Sequence, residues 1–391
     1  MGAFAMQQRE RYFHACAALI ALLATECGEK STPSAGAGGS AGSIDSGRGG
    51  ALVTAGTTTE NGGSSESGAS SETGGSPDSG GSSGAGAGEQ GGSVGAAGTP
   101  DRGAAGFVAG PSCAGLTENC GPNGDQNCCA STIVPGGTFH RANGTSLNRS
   151  AFVSAYRLDV YEVTIGRFMK FLDGYDAHLP MPGSGNNPGN PNDPGWHAEW
   201  DASLVGHDEL VTSIADCQQT VPAYASHDDD LLPMSCISWF EAYAFCIWDG
   251  GRLPTNAEWN FASAGGAEQR EYPWSDPPES LDIDASYAVY YDSENPDVVS
   301  RPERVGSKSP KGDARWGQAD MSGSVWEWNQ DWYQEFPDFC INCATLTGVQ
   351  IRTMCGGSFY GDAESLLSSS RLYHAPLNRD FVLGVRCARK L

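Results

Sequence analysis

The sequence predicts a mixed α+β domain with little regular secondary structure, and three observations carry that expectation. Short apolar stretches alternate with glycine turns: IVPGGTFHRANG reads as strand and turn, and Phe152, Tyr156, Leu158, Val160 and Tyr161 read as strand. A few helices carry start and stop signals. Long segments between them, such as PMPGSGNNPGNPNDPG at 180–195, have no periodicity and are rich in proline, glycine and asparagine.

The helices are the sharpest local readings. Thr164 caps a run with Ile165, Phe168, Met169 and Leu172 on one side, and Gly174 stops it. Ser238 with Glu241 three residues on is a capping box, and Trp239, Ala242, Tyr243, Cys246 and Ile247 share one face until Gly250. Thr255 and Glu258 repeat the device in TNAEWNFASAGG. The chain beyond is mostly loops, so disulfides, ions or backbone hydrogen bonds must hold it.

Composition divides the 391 residues. Residues 31–110 hold 25 of the 53 glycines and one aromatic, Phe107. Such a stretch buries too little apolar area to offset the entropy of ordering. We therefore divide the chain into a signal segment at 1–27, a Gly/Ser/Ala linker at 28–112, a cysteine cluster at 113–130 and a domain at 131–391. Arg9 and Arg11 precede the apolar run Ala15 to Ala24, which is of secretory-signal length and too short to span a bilayer. Cys27 stands where a lipoprotein carries its lipidated cysteine, although Glu26 before it is not the small residue such signals use. The expectation is export, as an extracellular or cell-envelope lipoprotein, with membrane attachment only through a lipidated N-terminus.

Net charge is −24, which argues against nucleic acid as partner because phosphates require a basic face. Setting Cys16 and Cys27 aside, 11 of the 13 cysteines remain, and in an exported chain they read as disulfides with one thiol left over. Cys113, Cys120, Cys128 and Cys129 lack histidine and zinc-finger spacing, so one or two disulfides are expected to clip the start of the domain. Cys340 and Cys343 form C-x-x-C, read as a small local disulfide or as halves of separate bridges. His197 with Glu199 and Asp201, and His227 with Asp228 to Asp230, read as solvated loop residues rather than metal sites.

The stretch DMSGSVWEWNQDW, Asp320 to Trp332, concentrates aromatics and acids. In an extended chain Trp326 and Trp328 point one way and Val325 and Glu327 the other. A carboxylate beside such residues is costly unless it is paired or holds a metal.

Seven segments occur in order: VPGGTF, DVYEVTIGRF, PMSCISWFEAYAFCIWDGGRLPTNAEWNFASAGG, YPWS, DMSGSVWEWNQDWY, CGGSFYGD and LGVRCAR. From Val134 to Arg389 the chain resembles the formylglycine-generating enzyme family, also called the sulfatase-modifying factor family. The resemblance implies a mixed α/β fold of low regular content, distantly similar to C-type lectin-like domains. It also implies a copper- and oxygen-dependent oxidation of a sulfatase cysteine to formylglycine, through two cysteines after the GGS turn. Here those positions are Gly361 and Leu366. A thiolate is the soft ligand copper(I) selects, so neither copper nor oxidation by that route is expected.

Two structural features follow from the same resemblance. The family disulfide maps to Cys246 and Cys387, while its second bridge maps to Ser263 and about Arg371 and is missing. The family calcium maps to the side chains of Asp320 and Glu327 and the carbonyls of Met321, Gly323 and Val325, an all-oxygen set suited to that ion. The alternative is a Glu327 paired with an arginine. A second family calcium site near Val289 and Tyr290 lacks matching side chains. The functional expectation is a surface-tethered, non-catalytic domain binding a peptide, protein or glycan. The alternative is an oxidase of the family type, or a related oxygen-dependent enzyme, which a second thiol converging on Cys355 would favour.

Overall fold

The computed structural model describes residues 110–391, apart from 117–118, 145–148, 222–223, 225–228, 294, 296–300, 337 and 349. The signal segment and nearly all of the linker lie outside the described residues, as do His227 and Asp228.

Among the described residues, three small sheets and four α-helices are joined by long loops, the mixed α+β architecture of low regular content that was expected. The first sheet has β4 (Tyr156–Asp159) between β1 (Ser131–Val134) and β10 (Ala388–Arg389), all antiparallel. The second has β3 (Ser150–Val153) between β2 (Gly137–His140), antiparallel, and β6 (Cys340–Ile341), parallel. The third runs β8–β7–β5–β9, with β5 (Trp326–Trp332), β7 (Arg352–Cys355), β8 (Arg371–His374) and β9 (Leu383–Gly384). Glu327 on β5 faces Cys355 on β7 and, in parallel register, Gly384 on β9.

The helix starts are those the capping residues dictate. Helix α1 (Ile165–Leu172) begins at Thr164, whose side chain accepts from Arg167 N. Both capping boxes close, at Ser238 and Glu241 for α3 (Trp239–Trp248) and at Thr255 and Glu258 for α4 (Asn256–Ser263). Each satisfies backbone donors that a helix start leaves unpaired. Helix α3 departs from the single apolar face read in its sequence, because every residue from Trp239 to Cys246 is buried. A helix apolar on all sides belongs inside a core. Helix α2 (His207–Gln218) was not foreseen. It starts at Gly206 without a side-chain cap and buries only Leu210, Ile214 and Gln218.

The largest core cluster gathers Phe168 and Phe171 of α1, Trp239 and Phe245 of α3, and Trp326 and Trp328 of β5. The second gathers Phe139, Trp259, Phe261 and Met321. One group of buried charges is paired. Arg167 contacts Asp159 at 3.2 Å and Asp249 at 2.7 Å, and Arg389 contacts the same two carboxylates at 2.6 and 2.7 Å. Burial alone would raise the Asp249 pKa, but Arg167 and Arg389 hold it below the usual carboxylate range. Ser112 N donates to Asp249 Oδ1 at 3.0 Å, which fastens the start of the described chain to this clasp.

Five disulfides form among the described residues: Cys113–Cys129, Cys120–Cys128, Cys217–Cys236, Cys246–Cys387 and Cys340–Cys343. Cys355 is the one free cysteine among them. The Cys246–Cys387 bridge joins α3 to the chain just before β10 across 141 residues, so it closes a long loop of the unfolded chain. Replacing both cysteines by serine is expected to lower stability by about 2–5 kcal/mol in a guanidinium titration, with refolding yield reduced.

Candidate functional site

Strand β7 delivers the chain into a turn at Gly356 and Gly357, with φ of 104° and 73°, a backbone conformation that favours glycine. A 3₁₀ turn at Ala363–Leu366 follows, N-capped by Asp362. Hydrogen bonds lace this segment to the 320–327 loop. Gly323 N donates to Gly356 O at 2.8 Å, Phe359 N to Ser324 O at 2.7 Å and Ser322 Oγ to Leu366 O at 2.6 Å.

Gly361 and Leu366, the positions to which the resemblance carries the family's thiols, leave little space. A Cβ on Gly361 would lie 2.4 Å from Ser365 Oγ, so a side chain there requires that hydroxyl to move. Leu366 is fully buried in a cluster with Tyr272 and Ala288. Neither Gly361 nor Leu366 offers copper a soft ligand. The free thiol, Cys355, is buried, accepts from Asn256 Nδ2 at 3.1 Å and donates to Asn329 Oδ1 at 3.1 Å. Burial pushes its pKa far up, so it stays a neutral thiol. No second free cysteine approaches it among the described residues.

An aromatic ladder flanks the closed segment. Tyr272 stacks on Trp274 at 5.0 Å between centroids, and Trp274 on Tyr287 at 5.3 Å. Lys311 Nζ sits 3.7 Å from the Tyr287 centroid. Tyr272 OH donates to Ala363 O at 3.1 Å and ties the ladder to the 3₁₀ turn. Trp274 and Tyr287 are partly exposed. The sequence held this signal in YPWS and SYAVYY, but nothing in their spacing announced that the rings would stack.

Among the residues expected to hold calcium, Glu327 meets an arginine. Arg386 Nε lies 3.0 and 3.1 Å from its two oxygens and Nη2 2.8 Å from Oε1, and Trp259 Nε1 donates to Oε2 at 2.7 Å. Arg386 also donates to the carbonyls of Asp159, Val160 and Ala319. Asp320 accepts from Gly306 N. A third buried acid, Glu162, accepts from Ser324 Oγ at 2.8 Å and Val325 N at 3.1 Å. Sequence reading passed over it. Burial, with Asp320 and Glu327 nearby, raises the Glu162 pKa well above the usual range, and burial raises that of Asp320 to about 6. Only Glu327 contacts the guanidinium directly, and burial favours the neutral forms of Glu162 and Asp320. The carbonyls of Met321 and Val325 would lie 3.2 and 3.8 Å from a Cβ on Gly356, so both face one small space that glycine keeps open. Among the described residues, no three His, Cys, Asp or Glu side chains gather about one point, so a cation would lean on such carbonyls. His197 pairs with exposed Glu199 at 3.3 Å, while Asp201 accepts from Trp196 Nε1.

The comparison with known families decides the kinship. The sulfatase-modifying factor enzyme 1-like domain matches residues 117–391. The chain belongs to this family. Relatives include the serine/threonine-protein kinase pkn1 of Chlamydia caviae, 37% identical over 43% of this chain and 25% of that protein. The formylglycine-generating enzyme of Bos taurus is 24% identical over 65% of this chain and 73% of its own. The inactive C-alpha-formylglycine-generating enzyme 2 of Mus musculus is 29% identical over 40% of this chain and 49% of its own. The chain spans between 25% and 38% of the length of the first three relatives.

Truncating Arg386 to methionine leaves Glu327 buried without its counter-charge. Such a change is expected to lower stability by about 3–5 kcal/mol in a urea titration, and Glu327→Gln with Arg386→Met together by less than the sum.

Proposed function

We propose that this chain is an exported, surface-tethered sulfatase-modifying factor-like domain that binds a peptide or glycan instead of oxidising a sulfatase cysteine. The observation that carries the reading is the closed segment: Leu366 fills its own position with a packed side chain, and Cys355 has no thiol partner among the described residues. The partly exposed edges of Trp274 and Tyr287, whose ring faces are taken up by the stack and by Lys311, lie beside that segment and offer a ligand apolar contact with a polar rim. The rival reading, oxidation with other residues, draws on the family itself. A copper(I) titration of the purified chain separates the two. Weak, non-stoichiometric binding is expected, and tight one-to-one copper would overturn the reading. On glycan and peptide arrays, Trp274→Ala is expected to lower binding at least tenfold, with a loss of only a few degrees in melting temperature from the broken stack.

We further propose that calcium braces the 320–327 loop through Asp320 and the carbonyls of Met321, Gly323 and Val325, with Glu327 shared with Arg386. The sign of the pH dependence tests this. Asp320 has a folded pKa of about 6, above the ordinary carboxyl value, so its stabilising protonated form is lost as pH rises through 6. Asp331, raised to about 6 by burial, acts in the same direction. Without metal, the melting temperature is expected to climb as pH falls from 7.5 to 5. Calcium at a hundredfold excess over its Kd is expected to add about 2.7 kcal/mol at pH 7.5. An unchanged melting temperature with calcium, in a chelator-stripped sample, counts against the ion.

A further inference from the structure

The C-x-x-C bridge differs from the other four described disulfides. Each of those has at least one buried cysteine, whereas Cys340 and Cys343 are both partly exposed. The ring between them is held from outside the sulfurs. Asn342 is buried and left-handed, with φ of 49°. Its N donates to Phe152 O at 2.8 Å, its Oδ1 accepts from Ser154 N at 2.6 Å, and its Nδ2 donates to Ser154 Oγ at 2.9 Å and Gly189 O at 2.8 Å. These bonds do not involve the sulfurs, so the two cysteines stay adjacent when the bridge opens.

The two sulfurs have unlike surroundings. Arg141 is buried, and its Nη1 lies 3.9 Å from Cys343 Sγ. Its Nε and Nη2 donate to the carbonyls of Arg149, Ser150 and Asp338, which fix the guanidinium in place. Arg149 and Arg371 gather with it around the Phe336 ring, at 5.8 and 3.8 Å from the centroid against 5.0 Å for Arg141. The carboxylates facing this group are Asp331 and Asp338, and Asp331 already accepts from Asn256 N and Thr345 N. Burial, then Arg371 and Arg149, hold Arg141 below its ordinary pKa against the pull of those two acids. A negative charge on Cys343 relieves that strain, as cations beside a cysteine favour its thiolate. Cys340 lies opposite buried Ala151 instead, while its chain neighbours bring an apolar patch to the other face of the same short strand. Phe339 and Ile341 are 56% and 62% exposed, and Phe152, the register partner of Ile341, is 37% exposed.

We propose that Cys340–Cys343 is a thiol–disulfide exchange site for thiols borne on apolar protein segments, in which Cys340 is attacked and Cys343 leaves as a thiolate beside Arg141. The substrate thiolate forms a bond to Cys340 Sγ while the Sγ–Sγ bond breaks, and the electron pair goes to Cys343. A second substrate thiolate attacks the substrate sulfur of the mixed disulfide, and Cys340 leaves. The substrate pair loses two electrons and the protein pair gains two. Of the two protons released by the substrate thiols, one ends on Cys340 and the other in solvent. Run backwards, the same steps reduce a substrate disulfide. A stabilised leaving thiolate speeds the first step. This site is independent of the ligand reading above, since it uses none of the residues from 356 to 366.

The test is equilibration of the full chain in mixtures of reduced and oxidised glutathione, followed by differential alkylation and peptide mapping. Cys340–Cys343 is expected to open, and reclose, at a glutathione ratio that leaves the other four bridges intact, with tryptophan fluorescence unchanged. Once open, Cys343 is expected to react with iodoacetamide at pH 6 about tenfold faster than Cys340, the equivalent of one pKa unit. Arg141→Met should abolish that preference and Arg141→Lys retain part of it. If Arg141→Met does not fold, Arg371→Gln should reduce the preference more modestly. A dithiol peptide with apolar flanks should be oxidised faster than one with polar flanks. The proposal is overturned if the pair opens only together with the buried bridges, if the two thiols react equally, or if the flanks make no difference.

Discussion

The bidentate contact between Glu327 and Arg386 is the interaction on which the rest of this fold depends. Both side chains are fully buried, and neither tolerates solitude in a medium of low dielectric. Through one guanidinium the pair reaches β5, the carbonyls of Asp159 and Val160 at the end of β4, and Ala319 ahead of the loop. Trp259 of α4 adds its indole N–H to the same carboxylate. The chain near residues 159, 259 and 319 therefore converges on this one ion pair. The alternative for an irregular domain would be a larger apolar core, but three small sheets offer few faces to build one.

That convergence explains why the 320–327 loop and the 356–366 segment are inseparable. The loop supplies N–H, C=O and hydroxyl groups to the segment, and the segment returns them. Within that segment Gly361 and Leu366 contribute main-chain groups, Gly361 O accepting from Tyr291 N at 2.8 Å and Leu366 O from Ser322 Oγ at 2.6 Å.

Much of this was legible in the sequence, and the reasons differ by element. Thr164, Ser238 and Thr255 announced three helices because capping is a local interaction, complete within four residues. The strand pattern around Trp326 and Trp328 was legible because side chains alternate. Helix α2 was not, since Gly206 gives no cap and its apolar positions are few. The burial of α3 on all sides depends on what packs around it, which no local pattern records. Glu162 looked like one acid among many, and only the fold brings it to Ser324 and Val325. Arg386 likewise has no local sign of its partner, which lies 59 residues earlier in the chain.

The bond from Ser112 to Asp249 has a mechanical consequence. A pull on the chain ahead of Gly110 arrives within a few residues at Asp249, which Arg167 and Arg389 grip from α1 and β10. The Cys113–Cys129 bridge then carries the load past the rest of the cysteine cluster. Force thus meets a buried ionic lock and a covalent bond before it can peel β1 from β4. The domain resists traction at its leading end without lending that tension to the segment around Leu366.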